Sequence, residues 1–205
     1  MAFQRRGSQL VRHSLQGIIA AVFVSGVVIG SVAIIVNAGL ALVATRLPAI
    51  LRRDYDIYLS VTLSLWITGA VALHAIGMVA LYERVWWWDH LTHFISGALV
   101  AGVGYAVTMM LDEHSTAVHF PKPFLAVYLL LFTVAVGVIW ELLEMGGREL
   151  SRTFDFEAVL IVYGLEDTML DLVFDMVGAV VVAIAGGDGL RGLVRMPSTW
   201  DRRER

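Results

Sequence analysis

The segment at positions 166–175 reads EDTMLDLVFD and leads into an apolar helix. Asp167, Asp171 and Asp175 recur at every fourth position, so on an α-helix they lie along one face, with a drift of about 40° per step. The stretch from Thr168 to Ala185 is long and apolar enough to cross a bilayer, which predicts that Asp175 lies near mid-membrane. A carboxylate at that depth costs about 2.5–3.5 kcal/mol, so it is expected to face a bundle interior, a partner or a water-filled cavity.

The composition of the whole chain agrees with a membrane location. Of its 205 residues, 58% are hydrophobic and only 16% are charged, and the mean hydropathy is +0.75. We therefore predict an all-α, polytopic integral membrane protein of the cell membrane. Because no linker, low-complexity tract or internal repeat divides the chain, residues 1–205 are predicted to form a single transmembrane helical domain. The absence of cysteine excludes disulfides, thiolate zinc sites, iron–sulfur clusters and cysteine nucleophiles.

Apolar segments predict five or six membrane crossings. Residues 15–47 are too long for one simple span and short for two, so they form either one tilted helix or a hairpin that turns near Gly30 or near residues 37–39. Pro48 is expected to end this run, and residues 51–56 to form a polar connector. The other predicted spans are residues 57–81, 89–111, 124–145, which is expected to end at Gly146-Gly147, and 168–185.

The basic residues indicate the orientation, because cytoplasmic loops collect Lys and Arg. If residues 15–47 form a hairpin, twelve of the fifteen basic residues fall on one side, and Arg84, Arg148 and Arg152 fall on the other. If they form one helix, the division is nine to six. Six segments with both termini in the cytoplasm are therefore favoured. The beginnings of the 89–111 and 168–185 helices and the end of the 124–145 helix are then expected on the extracytoplasmic face.

These three helices are expected to bring carboxylates and an imidazole together at that face. Asp89 and His93 are four residues apart, and Glu141 and Glu144 are three apart, so each pair shares a helix face with its own neighbours. Left ionised, the carboxylates would repel one another in a medium of low dielectric. Protonation as in a proton pathway, pairing with Arg148 and His93, or one or two divalent cations would relieve the repulsion.

Carboxylates with imidazole and no thiolate suit Mg, Mn, Fe or Zn. The predicted catalytic and metal-ligating residues are Asp89, His93, Glu144, Asp171 and Asp175. Single polar residues of this kind, such as Glu141 or Asp167, can also hold helices together by hydrogen bonds.

The other histidines and the tryptophans receive separate interpretations. His90 lies about 100° around the helix from Asp89 and is expected at the membrane interface rather than among the ligands. His74 is either a hydrogen-bonded core histidine or a residue that supports the site. The three tryptophans at 86–88 are expected to anchor the chain at the interface, and His114 and His119 to be solvated on the opposite face.

Four motifs occur in a fixed order: HAIG at 74–77, DHLTHF at 89–94, WELLE at 140–144 and DTMLDLVFDMVGA at 167–179. Over roughly residues 70–185 they resemble the YjdF-type family of small prokaryotic membrane proteins. A weaker similarity is to VanZ-like membrane proteins, in which a D-x-x-x-H motif, a glutamate and aspartates follow the same order. The resemblance implies about six helices and does not imply a reaction.

The first functional hypothesis is a metal-dependent hydrolase or transferase that acts on a lipid or lipid-linked headgroup, with a metal-bound hydroxide formed near neutral pH. The alternative is a cation- or proton-translocating carrier or channel subunit, which the one-sided cluster and the lack of a clear inverted repeat disfavour. A third is an accessory structural subunit of a membrane complex. Membrane lipid is the expected partner, a homo-oligomer or membrane complex is compatible with the sequence, and nucleic acid is not expected.

Overall fold

The computed structural model describes residues 2–114, 119–160, 163–186, 190 and 192–195, without the side chains of residues 2–5 and 114. The chain begins with a helical hairpin of α1 (Ala2–Ile29) and α2 (Val32–Ala44). Gly30 turns the chain with φ +79°, and the N–H groups of Gly30 and Ser31 both donate to the carbonyl of Gly26. Because Gln16 at the far end hydrogen-bonds to Thr45, the two helices run antiparallel. The structure therefore confirms the hairpin in residues 15–47.

The apolar run ends before Pro48, which is not the residue that breaks it. Pro48 occupies the first turn of α3 (Leu47–Tyr55). A backbone N–H in this turn has no partner within the helix, so the missing N–H of proline costs no helical hydrogen bond. The expected polar connector at 51–56 is therefore mostly helical, and α3 ends at Asp56 with φ +57°. At 13 residues α2 is too short to span a bilayer alone, but α2 and α3 together are long and apolar enough to cross it, with a bend of 43° between them. The described residues therefore contain five helices that could cross a membrane, or six segments if this bent pair is one span.

The remaining elements follow the predicted order. Residues Tyr58–Leu59 form β1, which pairs antiparallel with β2 (Val194–Arg195), and α4 (Val61–Ile76) leads into a π-helical turn (Gly77–Leu81) and a short α5 (Tyr82–Arg84). The later helices are α6 (Trp88–His114), α7 (Lys122–Phe154) and α8 (Leu165–Ala185). The helix that carries Asp167, Asp171 and Asp175 therefore begins at Leu165, three residues before the predicted Thr168.

Helix α7 does not end at Gly146-Gly147. It continues to Phe154 and ends where Asp155 adopts φ +53° and donates its backbone N–H to Ser151. A glycine ends a helix only where the chain turns left-handed. Inside a helix it costs about 1 kcal/mol, which a helix of 33 residues tolerates.

Helices α6 and α8 form the most extensive helix pair, and small residues let their backbones approach. A Cβ atom on Gly178 would overlap the backbone of Phe94 and Ala98 on α6, and a Cβ on Gly97 would overlap the backbone of Asp175. Helix α7 packs against both helices, and α4 packs against α6. The beginning of α6, the second half of α7 and the beginning of α8 therefore meet at one end of the bundle.

Candidate functional site

The His93 imidazole lies among four carboxylates from three helices. Its Nε2 atom is 3.8 Å from Asp89 Oδ1, 3.8 Å from Glu141 Oε1 and 4.0 Å from Asp171 Oδ2. Its Nδ1 atom is 3.5 Å from Asp175 Oδ2. The two ring nitrogens therefore have different surroundings, with three carboxylates near Nε2 and one near Nδ1.

Helical periodicity positions these side chains. Asp89 lies in the first turn of α6 and His93 one turn later. On α8 the buried face carries Asp171, Asp175 and, one turn further, Gly178 and Ala179. This burial agrees with the predicted aspartate face, and Asp167, half-buried at the beginning of the same face, lies nearest to the surface.

Glycine makes room for the deepest carboxylate. A Cβ on Gly137 would overlap Asp175 Oδ2, and a Cβ on Gly97 would lie 2.9 Å from Asp175 Oδ1. Glycines on both α6 and α7 therefore create the space in which the Asp175 carboxylate fits.

Glu141 is a member of the cluster that the predicted site set leaves out. It lies on the buried face of α7, one turn after Gly137, and is only 3% exposed. Its Oε2 atom accepts a hydrogen bond of 2.8 Å from the Thr168 hydroxyl. Its Oε1 atom is buried and has no hydrogen-bond partner among the described residues. The i, i+3 spacing of Glu141 and Glu144 was the available signal.

The prediction that His90 lies at the interface is wrong. Its side chain is buried, its Nδ1 atom is 3.0 Å from Asp171 Oδ1, and its ring stacks on Phe174 with a centroid distance of 4.9 Å. The reason is the close packing of α6 on α8, which covers a wider arc of α6 than the Asp89–His93 face. Consequently the two oxygens of Asp171 face two different histidines.

Two groups of side chains have the geometry to hold a metal ion. Asp89, His93 and Asp171 form the first, and His90, Asp167 and Asp171 form the second. Within each group the ligand atoms all lie within 4.8 Å of one another, which allows a shared ion at the usual 2.0–2.6 Å from each. Asp171 belongs to both groups. Among the predicted ligands, Glu144 and Asp175 belong to neither.

An apolar cavity of about 390 Å³ opens beside the cluster. Asp89, His93, Glu144 and Asp175 line its polar end, whereas Asp171 is not part of its wall. The apolar wall comes from α2, α4, α6 and α7 and includes Ala41, Val71, Leu99 and Val136. The cavity thus joins a charged end to a surface suited to hydrocarbon.

His74 supports the opposite wall of this cavity through a chain of hydrogen bonds. The Asn37 amide nitrogen donates to the carbonyls of Ala33 and Val159, which leaves its Oδ1 as the acceptor for His74 Nε2–H at 3.0 Å. Neutral His74 then accepts at Nδ1 from the Tyr82 hydroxyl at 2.8 Å. His74 is therefore both a hydrogen-bonded core histidine and a residue that orients a cavity side chain. Sequence reasoning did not identify Asn37 or Tyr82 as its partners.

Tyr163, in the segment before α8, lies close to the cluster. Burial, and after it the carboxylates of Asp89 and Asp167, raises the pKa of the Tyr163 phenol to about 12. The phenol is protonated at neutral pH with or without this shift.

The aromatic segment and His119 lie outside the cluster. Trp86 and Trp87 are exposed, and their role as an interfacial anchor stays a prediction. Trp88 is half-buried, with its indole nitrogen close to Gly77. His119 is exposed near Asp112, at 3.2 Å, as expected for a solvated residue, and the His114 side chain lies outside the described residues.

Comparison with known proteins supports the membrane assignment. Residues 11–188 match the family described as "Predicted membrane protein (DUF2238)". An "Uncharacterized protein" of Thermotoga maritima is 28% identical over 121 residues, which is 58% of this chain and 58% of that relative. No solved structure matches the chain. The family is consistent with the YjdF-type resemblance, and the family match covers most of the sequence. The chain therefore belongs to this family of predicted membrane proteins.

Proposed function

We propose that the cluster binds a divalent metal cation between Asp89, His93 and Asp171, and that the cation serves a hydrolase or transferase reaction on a lipid or lipid-linked headgroup. The observation that carries the proposal is the buried Glu141 Oε1 atom, 3.8 Å from His93 Nε2 and without a hydrogen-bond donor in the part of the chain that the structure describes. A buried carboxylate oxygen without a donor is costly. A cation at the first group would offset this cost and the repulsion among the carboxylates.

The donor set suits a hard or borderline cation. Two carboxylates and one imidazole, with Glu141 Oε1 3.8 Å from the imidazole Nε2 atom, favour Mg, Mn, Fe or Zn over a soft metal. The chain has no cysteine that would favour a thiolate-bound ion.

Asp175 is better suited to orient His93 than to bind the cation, which is the role that the sequence predicted for it. Because it lies near His93 Nδ1, at 3.5 Å, it is suited to accept the Nδ1–H proton and to leave the Nε2 lone pair for the cation. A carboxylate on the far nitrogen of a ligating histidine fixes the ring orientation and raises its basicity. We therefore assign Asp175 to the orientation of His93.

Glu144 and the cavity connect the cation to a substrate. Glu144 faces the cavity but belongs to neither metal group, so its carboxylate is suited to take a proton from a cation-bound water. A ligand with an apolar chain and a polar headgroup would match a cavity with an apolar wall and a charged end. These properties favour a membrane lipid or a lipid-linked substrate.

Elemental analysis of the purified protein tests the cation. After incubation with Mn²⁺, Zn²⁺ or Mg²⁺ and desalting, the wild type is expected to retain stoichiometric metal and Asp171→Asn to lose it. Glu149→Gln is the matched control, because Glu149 is exposed on α7 and its nearest salt-bridge contact is Arg152 at 3.9 Å. Equal and negligible metal in all three proteins would refute the cation site.

A second experiment tests catalysis. Wild-type protein in phospholipid vesicles is expected to release or transfer headgroups, with the products followed by mass spectrometry, and a chelator is expected to stop the reaction. Glu144→Gln should keep its metal and lose turnover. Product formation that is insensitive to the chelator would argue against a metal-dependent reaction, and turnover unchanged in Glu144→Gln would argue against its role as the base.

A further inference from the structure

We propose that the site holds two divalent cations, bridged by the two oxygens of the Asp171 carboxylate. This inference rests on the proposed function, because the first cation is the one between Asp89, His93 and Asp171. The second would lie between His90, Asp167 and Asp171.

The orientation of Asp171 carries the proposal. Its Oδ2 atom faces His93 Nε2 at 4.0 Å, and its Oδ1 atom faces His90 Nδ1 at 3.0 Å. The side chain is almost fully buried, so its position is set by the protein and not by solvent. Each oxygen of one carboxylate can bind a different cation, and two-metal sites place their ions about 3.5–4 Å apart.

His90 is held as a ligand would be. Its ring is nearly parallel to that of Phe174, with an interplanar angle of 2°, and its side chain is 7% exposed. A buried imidazole needs a hydrogen-bond partner in an apolar bundle, and the hydrogen-bond partner of His90 among the described residues is the shared Asp171 carboxylate. The second group therefore contains a fixed imidazole and is not a cluster of acidic residues alone.

The charge of the region favours two cations over one. Six carboxylates belong to the two groups, contact His93 or line the cavity beside it: Asp89, Glu141, Glu144, Asp167, Asp171 and Asp175. One divalent ion offsets the charge of two of them and two ions offset that of four. The buried Glu141 Oε1 atom, which lacks a hydrogen-bond donor among the described residues, lies 3.8 Å from His93 Nε2 and therefore supports the first cation.

Manganese binding distinguishes one cation from two. Full-length protein in detergent is titrated with Mn²⁺, and bound metal is measured by elemental analysis and by low-temperature electron paramagnetic resonance. The wild type is expected to bind two Mn²⁺ per chain with an exchange-coupled spectrum. His90→Gln and Asp167→Asn are expected to bind one Mn²⁺ with an uncoupled six-line spectrum. Glu166→Gln, an exposed neighbour on α8, is the control and should bind two.

The outcomes separate this inference from the proposed function. A wild type that binds one Mn²⁺, with no change in His90→Gln, overturns the second position and leaves the first intact. A wild type that binds none overturns both. Loss of all metal in His90→Gln, with a melting curve equal to that of the control, would show one site that includes His90 and would also overturn the bridged pair.

Discussion

The carboxylates near the two ring nitrogens of His93 have different proposed roles. Asp175 meets Nδ1, whereas Asp89, Glu141 and Asp171 surround Nε2. We therefore predict that Asp175→Asn lowers Mn²⁺ affinity about ten- to hundredfold, the usual effect of losing a carboxylate behind a ligating histidine. The metal-free variant should be as stable as the wild type or more so, because a buried like charge is removed.

Metal titration and melting curves, with and without chelator, measure both parts of this prediction. Metal should raise the melting temperature of the wild type by mass action and that of Asp175→Asn less. A variant that is destabilised equally with and without metal would instead make Asp175 a structural hydrogen-bonding residue, whose loss typically costs about 1–3 kcal/mol.

Gly178 is a residue at which a single methyl group should matter. The Cβ of Gly178→Ala would meet the backbone of Phe94 and Ala98, so α8 must move away from α6. We expect a loss of about 1–3 kcal/mol, the range for overpacking. Gly146→Ala is the control, since no atom lies within 4 Å of its added Cβ, and its helix should be stabilised by up to about 1 kcal/mol. Thermal unfolding in detergent compares them, and equal melting temperatures would contradict the close packing.

The sequence predicts only some of the residues that belong to the site. The aspartates of α8 are four residues apart, as are Asp89 and His93, and this spacing identified one face on α8 and one on α6. The inclusion of His90, and the choice of Glu141 over Glu144 as the neighbour of His93, could not be predicted, because they depend on how each helix is rotated about its axis. In a membrane the lipid-facing side is as apolar as the core, so the contrast that fixes rotation in a soluble helix is missing.

At the scale of elements, the helix positions were more predictable than the helix ends. Long apolar runs predicted α4, α6 and α8 closely. The proline and glycine signals misled at Pro48 and Gly146-Gly147, because proline is also favoured in a first helical turn and glycine is tolerated inside a long helix. The contact of α2 with α4 through Asn37 and His74 joins residues far apart in sequence, and no local pattern indicates it.

One connection between elements can be tested directly. The Glu157 carboxylate accepts hydrogen bonds of 2.7 Å from the Ser31 hydroxyl and from the Val32 N–H, so the segment after α7 caps the beginning of α2. We predict that Glu157→Ala costs about 1–2 kcal/mol, the typical effect of a lost N-terminal cap. Glu149→Ala, on the exposed side of α7, should change stability by less than about 0.5 kcal/mol. Melting temperatures of the two variants in detergent measure the difference. An equal effect would show that the cap adds nothing.

At the scale of the whole molecule, the bent α2–α3 pair decides whether the described helices cross the membrane five or six times. With α2 and α3 counted as one bent span, the six segments return the chain to the side on which it began. The twelve-to-three division of the basic residues then predicts that both termini are cytoplasmic.

Reporter fusions test this orientation. A reporter after Arg205 or within the loop between Asp112 and Lys122 is expected to report cytoplasm, and one inserted within residues 155–164 the outside. The opposite pattern would reverse the orientation and put the carboxylate cluster on the cytoplasmic face.

The glycines around Asp175 also have an evolutionary consequence. Gly97 and Gly137 leave the volume that its carboxylate fills, and Gly178 lets α8 approach α6 closely enough for Asp171 to reach both histidines. A larger residue at Gly97 or Gly137 would displace Asp175, and a larger residue at Gly178 would push α8 away from α6. The glycines and the aspartates are therefore expected to be retained or lost together. Larger side chains at the positions of the three glycines should occur in relatives that have lost Asp171 and Asp175.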